Sequence, residues 1–482
     1  MAAELVTTGG RLSGRDEGTL AVYLGIPYAA PPTGALRWRP PVPAPRWSGT
    51  LAARSFGPAA PQTDGPPSVL PNLDPGAQDE DCLTLNVWAP THARDRPVLV
   101  WIHGGAFISG GTAIPSYDGS RLAAEHDVVV VSMNYRLGAL GFAPIGGVAN
   151  LGLLDQLLAL EWVHNNVAEF GGDPELVTIF GESAGGGAIM HLLSAPATEG
   201  LARRAIVQSG ATTLTLSADA AGDVAERVRG AIGIDPFTAP VGAILEAQDR
   251  VAGELIAAMG TMPFHPAIDH DLVVADPRHA PSAIVDLLIG TTANELNTYL
   301  DPAAPSLEPE RLAKRAARYL PRFGVTDPGA VLAGYDDLTS PSEVWAAIRT
   351  DAEMWLPAVT AASAHHGTTH MYRFDWPAAP PNAHLKACHA IDIPFTFGTF
   401  DREGWGPFVG HNRRAEDLGE AMREAWTLFA ATGDPSTKRL GEWPAYTAPG
   451  RATMILDDRS RLELDPRGRV RQAWTGAPPA QL

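Results

Sequence analysis

The chain has 482 residues, of which 45% are hydrophobic and 19% are charged, as is typical of a globular protein with a sizeable core. Its formal net charge is −18 at pH 7. Nucleic acids and anionic membranes bind clustered lysine and arginine, so this acidity counts against both as main partners. The acidity leaves the class of small-molecule ligand open.

The N-terminal segment and the cysteines favour an intracellular protein. Residues 1–18 lack a basic stretch followed by an apolar one, so we expect no secretory signal. The longest apolar runs, such as residues 127–131, are too short to span a bilayer. The two cysteines, Cys82 and Cys388, exclude a disulfide framework and are expected to be free thiols. These features predict a cytoplasmic protein.

Strand-like and helical patterns alternate along the chain. After short β-type runs and proline-rich turns, residues 57–81 are rich in Gly, Pro, Asp and Gln and predict a surface loop. Apolar runs then predict strands at 83–89, 98–103, 128–133, 177–180, 202–209, 283–290 and 369–374. Helical spacing of apolar residues predicts helices after Asn150 as far as 171–174, at 184–193 and at 415–432.

This alternation predicts an α/β protein with a central, mostly parallel sheet flanked by helices. The segments 211–280 and 301–365 are rich in alanine and helical in pattern. Because sheet strands resume after them, we interpret both segments as cap insertions over the sheet, within a single domain that spans residues 1–482.

The stretch FGESAGG, residues 180–186, places one serine among small residues at a strand-to-helix turn. In Gly181-x-Ser183-x-Gly185 the glycines suit a nucleophile turn, because larger side chains would collide in so tight a bend. The backbone N–H of Ala184, at the start of the next helix, is then a donor for a developing oxyanion. The alternative is a glycine-rich connection with an incidental serine, and the strand–turn–helix context favours the nucleophile.

A serine hydroxyl needs a base, and in this architecture the partners follow it in the order acid, then histidine. Glu295 comes five residues after the strand 283–290 and suits a loop at the strand end, whereas Asp286 lies inside the strand and is a poorer candidate. Six histidines follow Glu295, and the pattern alone does not choose among them: His365, His366, His370, His384, His389 and His411.

A second candidate donor region is WIHGGAFISGG, residues 101–111. Here Gly104, Gly105 and Ala106 let the backbone turn two N–H groups into a cleft, which with Ala184 would complete a three-donor oxyanion hole. Glycine-rich loops also bind phosphates, but the chain has no GxxxxGK[ST] motif, so nucleotide binding is not expected. We expect no cofactor and no metal, since His365–His366 lacks companion ligands at metal spacing.

These motifs resemble those of the type-B carboxylesterases of the α/β-hydrolase fold, the family of bacterial p-nitrobenzyl esterases, animal carboxylesterases and cholinesterases. The resemblance covers nearly the whole chain and is closest to the bacterial p-nitrobenzyl esterase-like members. The matching blocks are GESAGG (181–186), HGGAF (103–107), EDCLTLNVWAP (80–90), NYRLGALGF (134–142), residues 150–186 and AIVQSG (205–210). The resemblance implies an α/β-hydrolase fold with helical cap insertions and hydrolysis of carboxylic esters without a cofactor.

The resemblance also assigns the site residues. The block CHAIDIPFTFG (388–398) looks like the family's catalytic-histidine segment, which makes His389 the base, with Ser183 as nucleophile and Glu295 as acid. It implies that the backbone N–H groups of the oxyanion hole belong to Gly105, Ala106 and Ala184, with Gly104 permitting the turn.

Further residues have implied roles with open alternatives. Glu182, Ser209 and Asp392 resemble a network beside the base, which either contributes to catalysis or is ordinary buried hydrogen bonding. Phe107 either lines the acyl pocket or belongs to the core. His103 is expected to position the glycine-rich loop. The implied internal ion pairs are Arg37–Glu80 and Arg136–Asp155.

The expected substrates are small to medium or bulky uncharged esters. By analogy with the family, the GGA-type loop goes with roomy sites that admit bulky alcohol groups. Residues 57–81 contain no aromatic residue to replace the tryptophan with which cholinesterases hold a quaternary ammonium, so choline esters are not expected. Alternative functions are hydrolysis of carbamates or amides, and a non-catalytic binding role, against which the intact triad counts. The oligomeric state stays open, with a monomer as the simplest expectation.

Overall fold

The computed structural model describes residues 3–63, 68–210, 214–259, 262–279, 285–301, 303 and 306–474. The first residues of one predicted cap segment, 211–213, and of one predicted strand, 283–284, lie outside this part of the chain. No helix among the described residues is both long enough and apolar enough to span a membrane.

Within these described ranges the strands form two sheets, one of three strands and one of eleven. The strands are β1 (Glu4–Thr7), β2 (Gly10–Ser13), β3 (Arg15–Asp16), β4 (Leu20–Pro27), β5 (Thr50–Ala52), β6 (Thr84–Pro90), β7 (Arg96–Ile102), β8 (Val129–Met133), β9 (Gly172–Glu182), β10 (Arg204–Gln208), β11 (Asp286–Thr292), β12 (Thr369–Phe374), β13 (Ala452–Leu456) and β14 (Arg461–Leu464).

Helices flank the large sheet and make up much of the described part of the two segments predicted as caps. They are α1 (Ser120–His126), α2 (Gly138–Phe142), α3 (Leu151–Asn166), α4 (Ala184–Leu193), α5 (Ala218–Ile232), α6 (Val241–Met259), α7 (Pro309–Tyr319), α8 (Pro328–Leu332), α9 (Pro341–Thr350), α10 (Leu356–Ala364), α11 (Ile393–Phe397), α12 (Trp405–Val409), α13 (Arg413–Thr432) and α14 (Gly468–Trp474).

The large sheet has the order β14-β13-β12-β11-β10-β9-β7-β8-β6-β4-β3. Pairings from β8 through β13 are parallel, whereas the pairings toward both edges are antiparallel. Every residue of β8, β10 and β13 is buried, in keeping with the apolar residues that form most of each strand. The prediction of a mostly parallel sheet between helical layers is confirmed.

Two local predictions differ from the structure. Helix α3 ends at Asn166, and the next strand begins at Gly172, so residues predicted to end the helix belong to β9. The reason is pairing across the sheet, where Gly172 lies opposite Arg96 of β7. The stretch 57–81 is irregular as expected, but residues 59–62 are buried, so this part is not a surface loop.

The segment 301–365, predicted as the second cap, has a hydrophobic cluster separate from the two main core clusters. Leu312 of α7 and Ile348 of α9 belong to it, together with Val470 and Trp474 of the C-terminal helix α14. The C-terminal helix therefore packs with this cap segment through apolar side chains.

Both implied ion pairs are present and largely buried. Arg37 and Glu80 approach to 2.6 Å, and so do Arg136 and Asp155. Arg136 also donates to the other carboxylate oxygen of Asp155 at 2.7 Å, and the two residues are 3% and 0% exposed. Removing one partner of such a pair leaves an uncompensated buried charge.

We therefore expect Asp155→Asn to lower the free energy of unfolding by about 3–5 kcal/mol, because the Arg136 guanidinium loses its buried counter-ion. Urea unfolding followed by fluorescence measures this change. The control is Glu4→Gln, since Glu4 forms only a solvent-exposed ion pair with Arg11 at 4.0 Å; there we expect less than about 0.5 kcal/mol. Equal effects of both substitutions would contradict the stabilising role of the buried pair.

Candidate active site

Ser183 occupies the turn between β9 and α4, with backbone angles φ +56° and ψ −124°. Such angles are rare for a residue with a side chain and cost on the order of 1–3 kcal/mol. A Cβ on Gly181 would lie 2.6 Å from the carbonyl oxygen of Ile102, and one on Gly185 would lie 1.9 Å from the same atom. Glycine is therefore required on both sides of the serine, in agreement with the sequence pattern.

The Ser183 hydroxyl is hydrogen bonded to His389, which in turn is hydrogen bonded to Glu295. Oγ of Ser183 lies 2.8 Å from Nε2 of His389, and Nδ1 of His389 lies 2.6 Å from Oε2 of Glu295. Glu295 is fully buried, and its Oε1 accepts a hydrogen bond of 2.7 Å from the backbone N–H of Thr292. The carboxylate therefore favours the tautomer with Nδ1 protonated and Nε2 free to accept from the hydroxyl.

The structure separates the candidates that the sequence pattern left open. Glu295 begins a short 3₁₀ helix beyond the C-terminal end of β11. Asp286 is the first residue of that strand, at its opposite end, where it pairs with Arg204 at 3.4 Å. Of the six histidines that follow Glu295, His389 is the one hydrogen bonded to Ser183.

Buried carboxylates surround His389. Oε1 of Glu182 lies 3.2 Å from Nε2 of His389. Burial raises the pKa of Glu182 to about 8 and that of Asp392 to about 6. Burial lowers the pKa of His389, but the negative charges of Glu182 and Glu295 act in the opposite direction and together make the net shift upward. The surroundings thus stabilise an imidazolium.

A hydrogen-bond network supports Asp392. Nε2 of Gln208 donates to Oδ2 of Asp392 at 2.8 Å, and Nε1 of Trp426 donates to Oε1 of Gln208 at 3.2 Å. The buried hydroxyl of Ser209 has no hydrogen-bond partner among the described residues, and its backbone φ is +51°. Sequence analysis missed Gln208 even though the block 205–210 contains it, because one polar residue inside a strand has no pattern of its own.

Residues 103–111, here called the glycine loop, lie directly against the serine turn. A Cβ on Gly104 would lie 2.8 Å from the carbonyl oxygen of Glu182 and 3.1 Å from Cβ of Ser183. The next residues, Gly105 and Ala106, have φ +113° and +54°. The structure therefore brings the loop that carries two predicted oxyanion donors, Gly105 and Ala106, close to Ser183. The third predicted donor, Ala184, is the next residue in the chain after Ser183. Their role as donors stays a prediction.

His103 and Tyr135 hold the first residues of the glycine loop. Nδ1 of His103 lies 2.8 Å from the carbonyl oxygen of Gly104, and the hydroxyl of Tyr135 donates to the carbonyl oxygen of His103 at 2.8 Å. The two rings stack with centroids 4.5 Å apart. Burial lowers the pKa of His103 to about 4, so the ring is neutral at pH 7. This geometry fits the expected positioning role of His103, and Tyr135 is a support that the sequence analysis did not single out.

Phe107 is fully buried beside the glycine loop. Its ring packs against Phe142 with centroids 5.0 Å apart, and its carbonyl oxygen accepts a hydrogen bond of 2.7 Å from the N–H of Gly138. These contacts place the side chain in the hydrophobic core. A role for Phe107 in lining the acyl pocket stays a prediction.

One cluster in the described part of the chain has the residue types of a metal site, and it contains none of the predicted site residues. Ligand atoms of Glu125, His126 and Glu420 lie within 4.8 Å of one another. Nη2 of Arg423 is 3.0 Å from Glu420 and 3.6 Å from Glu125, so a guanidinium already provides positive charge there. The cluster therefore adds nothing to the chemistry of the serine site.

Sequence comparison identifies relatives over the full length of the chain. A family model described as "Carboxylesterase family" matches residues 2–474. The para-nitrobenzyl esterase of Bacillus subtilis (strain 168) is 38% identical over 496 residues, which cover 98% of each protein. The phenmedipham hydrolase of Pseudarthrobacter oxydans is 35% identical over 481 residues, which cover 94% of each.

Solved structures agree with this assignment. A thermophilic PNB esterase has a TM-score of 0.87 and 37% identity, with 98% of this chain and 100% of that chain covered. The Geobacillus stearothermophilus carboxylesterase EST55 has a TM-score of 0.85 and 36% identity at the same coverage. At this level of sequence identity and structural similarity, the chain shares the α/β-hydrolase fold of these proteins. The chain therefore belongs to the carboxylesterase family and is an ester-hydrolysing enzyme.

Proposed function

We propose that this enzyme cleaves carboxylic esters to acid and alcohol through an acyl-enzyme on Ser183, with His389 as general base and Glu295 as the orienting acid. The observation that supports this most directly is the chain of two hydrogen bonds, 2.8 Å from Ser183 to His389 and 2.6 Å from His389 to Glu295. A nucleophile, a base and a group that orients the base are the parts that serine acyl transfer requires.

In the proposed reaction, Nε2 of His389 accepts the proton of Ser183 as Oγ bonds to the ester carbonyl carbon. Glu295 holds Nδ1–H and stabilises the imidazolium. The carbonyl oxygen becomes an oxyanion that accepts hydrogen bonds from three backbone N–H groups, those of Gly105, Ala106 and Ala184. His389 then gives the proton to the departing alcohol. Water then enters, loses a proton to His389 and attacks the acyl carbon. The bond from that carbon to Oγ breaks as His389 returns the proton to Ser183, and the acid is released.

The substrates that we propose are uncharged esters with small to medium or bulky groups. The Gly104–Ala106 sequence supports bulky alcohol groups by analogy within the family. The described part of residues 57–81 offers no aromatic side chain for an ammonium group. We further propose that the cap segments 211–280 and 301–365 shape the substrate pocket.

Hydrolysis of carbamates is a second candidate, because a relative of 35% identity is named for the hydrolysis of phenmedipham, which is a carbamate. The same nucleophile and base would act on the carbamate carbonyl. A carbamoyl-enzyme is less electrophilic than an acyl-enzyme, so its hydrolysis would be slow and the two activities can be told apart by their kinetics.

For the wild-type enzyme we expect turnover of p-nitrophenyl esters from acetate to octanoate, and for Ser183→Ala a loss of kcat/KM of at least about 10⁴-fold, because the nucleophile is missing. Release of p-nitrophenol measures both. Ser48→Ala is the matched control, since Ser48 is exposed and belongs neither to the proposed catalytic segments nor to the proposed cap segments.

Ester turnover that persists in folded Ser183→Ala would overturn the proposed mechanism. In the same assay, a p-nitrophenyl carbamate with a higher kcat/KM than every ester would favour the carbamate function, because kcat/KM does not depend on the slow hydrolysis of the carbamoyl-enzyme. A folded wild-type enzyme that turns over none of these compounds would exclude the proposed substrate class.

The surroundings of His389 also predict a pH dependence. A protonated His389 cannot accept the serine proton, so kcat/KM falls as the pH drops through its apparent pKa. Because the carboxylates raise the pKa of His389, we expect the midpoint of this acid limb of the pH–rate profile to lie above the ordinary histidine pKa of about 6.5. Glu182→Gln removes a carboxylate 3.2 Å from Nε2, so the limb moves to lower pH by about one unit or more.

The pH–rate profiles of both enzymes test this, with Glu175→Gln as control because Glu175 is an exposed residue of the same strand, β9. The control profile should match the wild type. A limb that stays in place or moves to higher pH in Glu182→Gln would refute the electrostatic role of Glu182.

A further inference from the structure

We infer that Gln62 is a positioning residue that holds the glycine loop (residues 103–111) in its donor-presenting shape, from a segment that has no direct part in the chemistry. This inference rests on the proposed function, since it assumes that Gly105 and Ala106 bind the oxyanion. It assigns a catalytic purpose to a residue far from Ser183, Glu295 and His389 in the sequence.

The first observation is a paired hydrogen bond between Gln62 and the far end of the glycine loop. The backbone N–H of Gly110 donates to Oε1 of Gln62 at 2.8 Å, and Nε2 of Gln62 donates to the carbonyl oxygen of Gly110 at 2.8 Å. Nε2 also donates to the carbonyl oxygen of Ala60 at 2.9 Å. Gln62 is 8% exposed, so its side-chain amide is satisfied by protein groups in a nearly dry position.

The second observation is that Gly110 packs directly on the beginning of the loop. A Cβ on Gly110 would lie 2.6 Å from the carbonyl oxygen of Gly104 and 2.6 Å from Nδ1 of His103. The φ of Gly110 is +111°, which also favours glycine. Fixing Gly110 therefore fixes the residues just before the proposed donors, because the two ends of the loop touch.

The third observation is that the loop between these ends is strained. Ala106 and Phe107, two successive residues with side chains, have φ +54° and +62°. The N–H groups of Ile108 and Ser109 both donate to the carbonyl oxygen of Gly105 at 3.0 Å, which makes a tight reversal. Strained backbone of this kind persists only where surrounding contacts impose it. Gln62 imposes it at one end, and His103 with Tyr135 does so at the other.

The segment that carries Gln62 is itself anchored. The backbone N–H of Gln62 donates to Oε1 of Gln78 at 2.9 Å. Nearby, Ala59 pairs with residues 77 and 79 through backbone hydrogen bonds of 2.8 and 3.0 Å. The Gln62 amide is therefore presented to Gly110 from a fixed base. Loss of this amide would remove the hydrogen bonds that Gln62 makes to the backbone N–H and to the carbonyl oxygen of Gly110. The glycine loop would then be free to relax from the shape that presents the proposed donors.

The test is Gln62→Met, which keeps the length and volume of the side chain and removes its amide. We expect kcat for p-nitrophenyl butyrate to fall about 10- to 100-fold, less than the roughly 10²–10³-fold loss of deleting an oxyanion donor outright. KM should change by less than about threefold, because ground-state binding does not use these donors. Gln156→Met is the matched control, since the buried amide of Gln156 in α3 has no hydrogen-bond partner among the described residues.

A trifluoromethyl ketone provides the readout that a merely structural role would not change. In its adduct Oγ of Ser183 bonds to the carbonyl carbon, the serine proton passes to His389, and the carbonyl oxygen becomes an oxyanion. We expect Gln62→Met to raise the inhibition constant of this compound by the same factor as it lowers kcat. The inhibition constant of the corresponding methyl ketone, which stays a ketone, should not change.

Gln62→Met that keeps kcat and the trifluoromethyl ketone affinity within about twofold of the wild type would overturn the inference, even if its melting temperature fell. Should this variant not fold, Gln62→Asn decides, since it has the same amide on a side chain one methylene shorter. A reduced kcat with unchanged KM supports the inference, and wild-type kcat overturns it. Failure of the proposed function looks different, because Ser183→Ala would then keep activity and the wild type would not bind the trifluoromethyl ketone.

Discussion

The carbonyl oxygen of Ile102, the last residue of β7, lies so close to Gly181 and Gly185 that neither position can hold a side chain. This contact follows from the parallel pairing of β7 with β9, in which Ile102 stands opposite Gly181. Because parallel strands end at the same edge of the sheet, the segments that follow β7 and β9 must meet there. The glycine loop and the Ser183 turn are those segments. The main constraint on the site is therefore backbone against backbone, and side chains refine what the sheet has already brought together.

The charge distribution around His389 shows a second constraint. Glu182, Glu295 and Asp392 are all nearly or fully buried, and unpaired buried carboxylates are costly. The protein reduces this cost partly through His389, whose charge opposes the burial that raises the pKa of Glu182 to about 8, and partly through hydrogen bonds, such as that from Gln208 to Asp392. The remaining negative charge favours an imidazolium. These buried carboxylates thus lower stability, and in the proposed mechanism their field assists proton transfer to His389.

Local patterns predicted the parts of the molecule that local geometry determines. Helix α4 runs from residue 184 to 193 as expected, because the glycines around Ser183 and the apolar residues after them define its start and its buried face. Glu295 could be placed by its distance from a strand end. His389 could not be chosen from six histidines without a family resemblance, since the turn that carries it has no periodicity. The start of β9 at Gly172 and the contact of Gln62 with Gly110 depend on partners far along the chain, which no local pattern reports.

Backbone strain links these features. Residues with side chains and positive φ occur at Ala106, Ser183, Ser209 and Ala390, each within or next to a segment of the site. Each conformation is unfavourable alone and must be imposed by packing or hydrogen bonds from elsewhere. A support that is lost therefore need not unfold the protein; it allows one segment to relax while the sheet stays intact. Since the proposed oxyanion donors and the nucleophile lie on such segments, the catalytic geometry is expected to be less tolerant of distant substitutions than the fold, whose parallel strands are held by many backbone pairings at once.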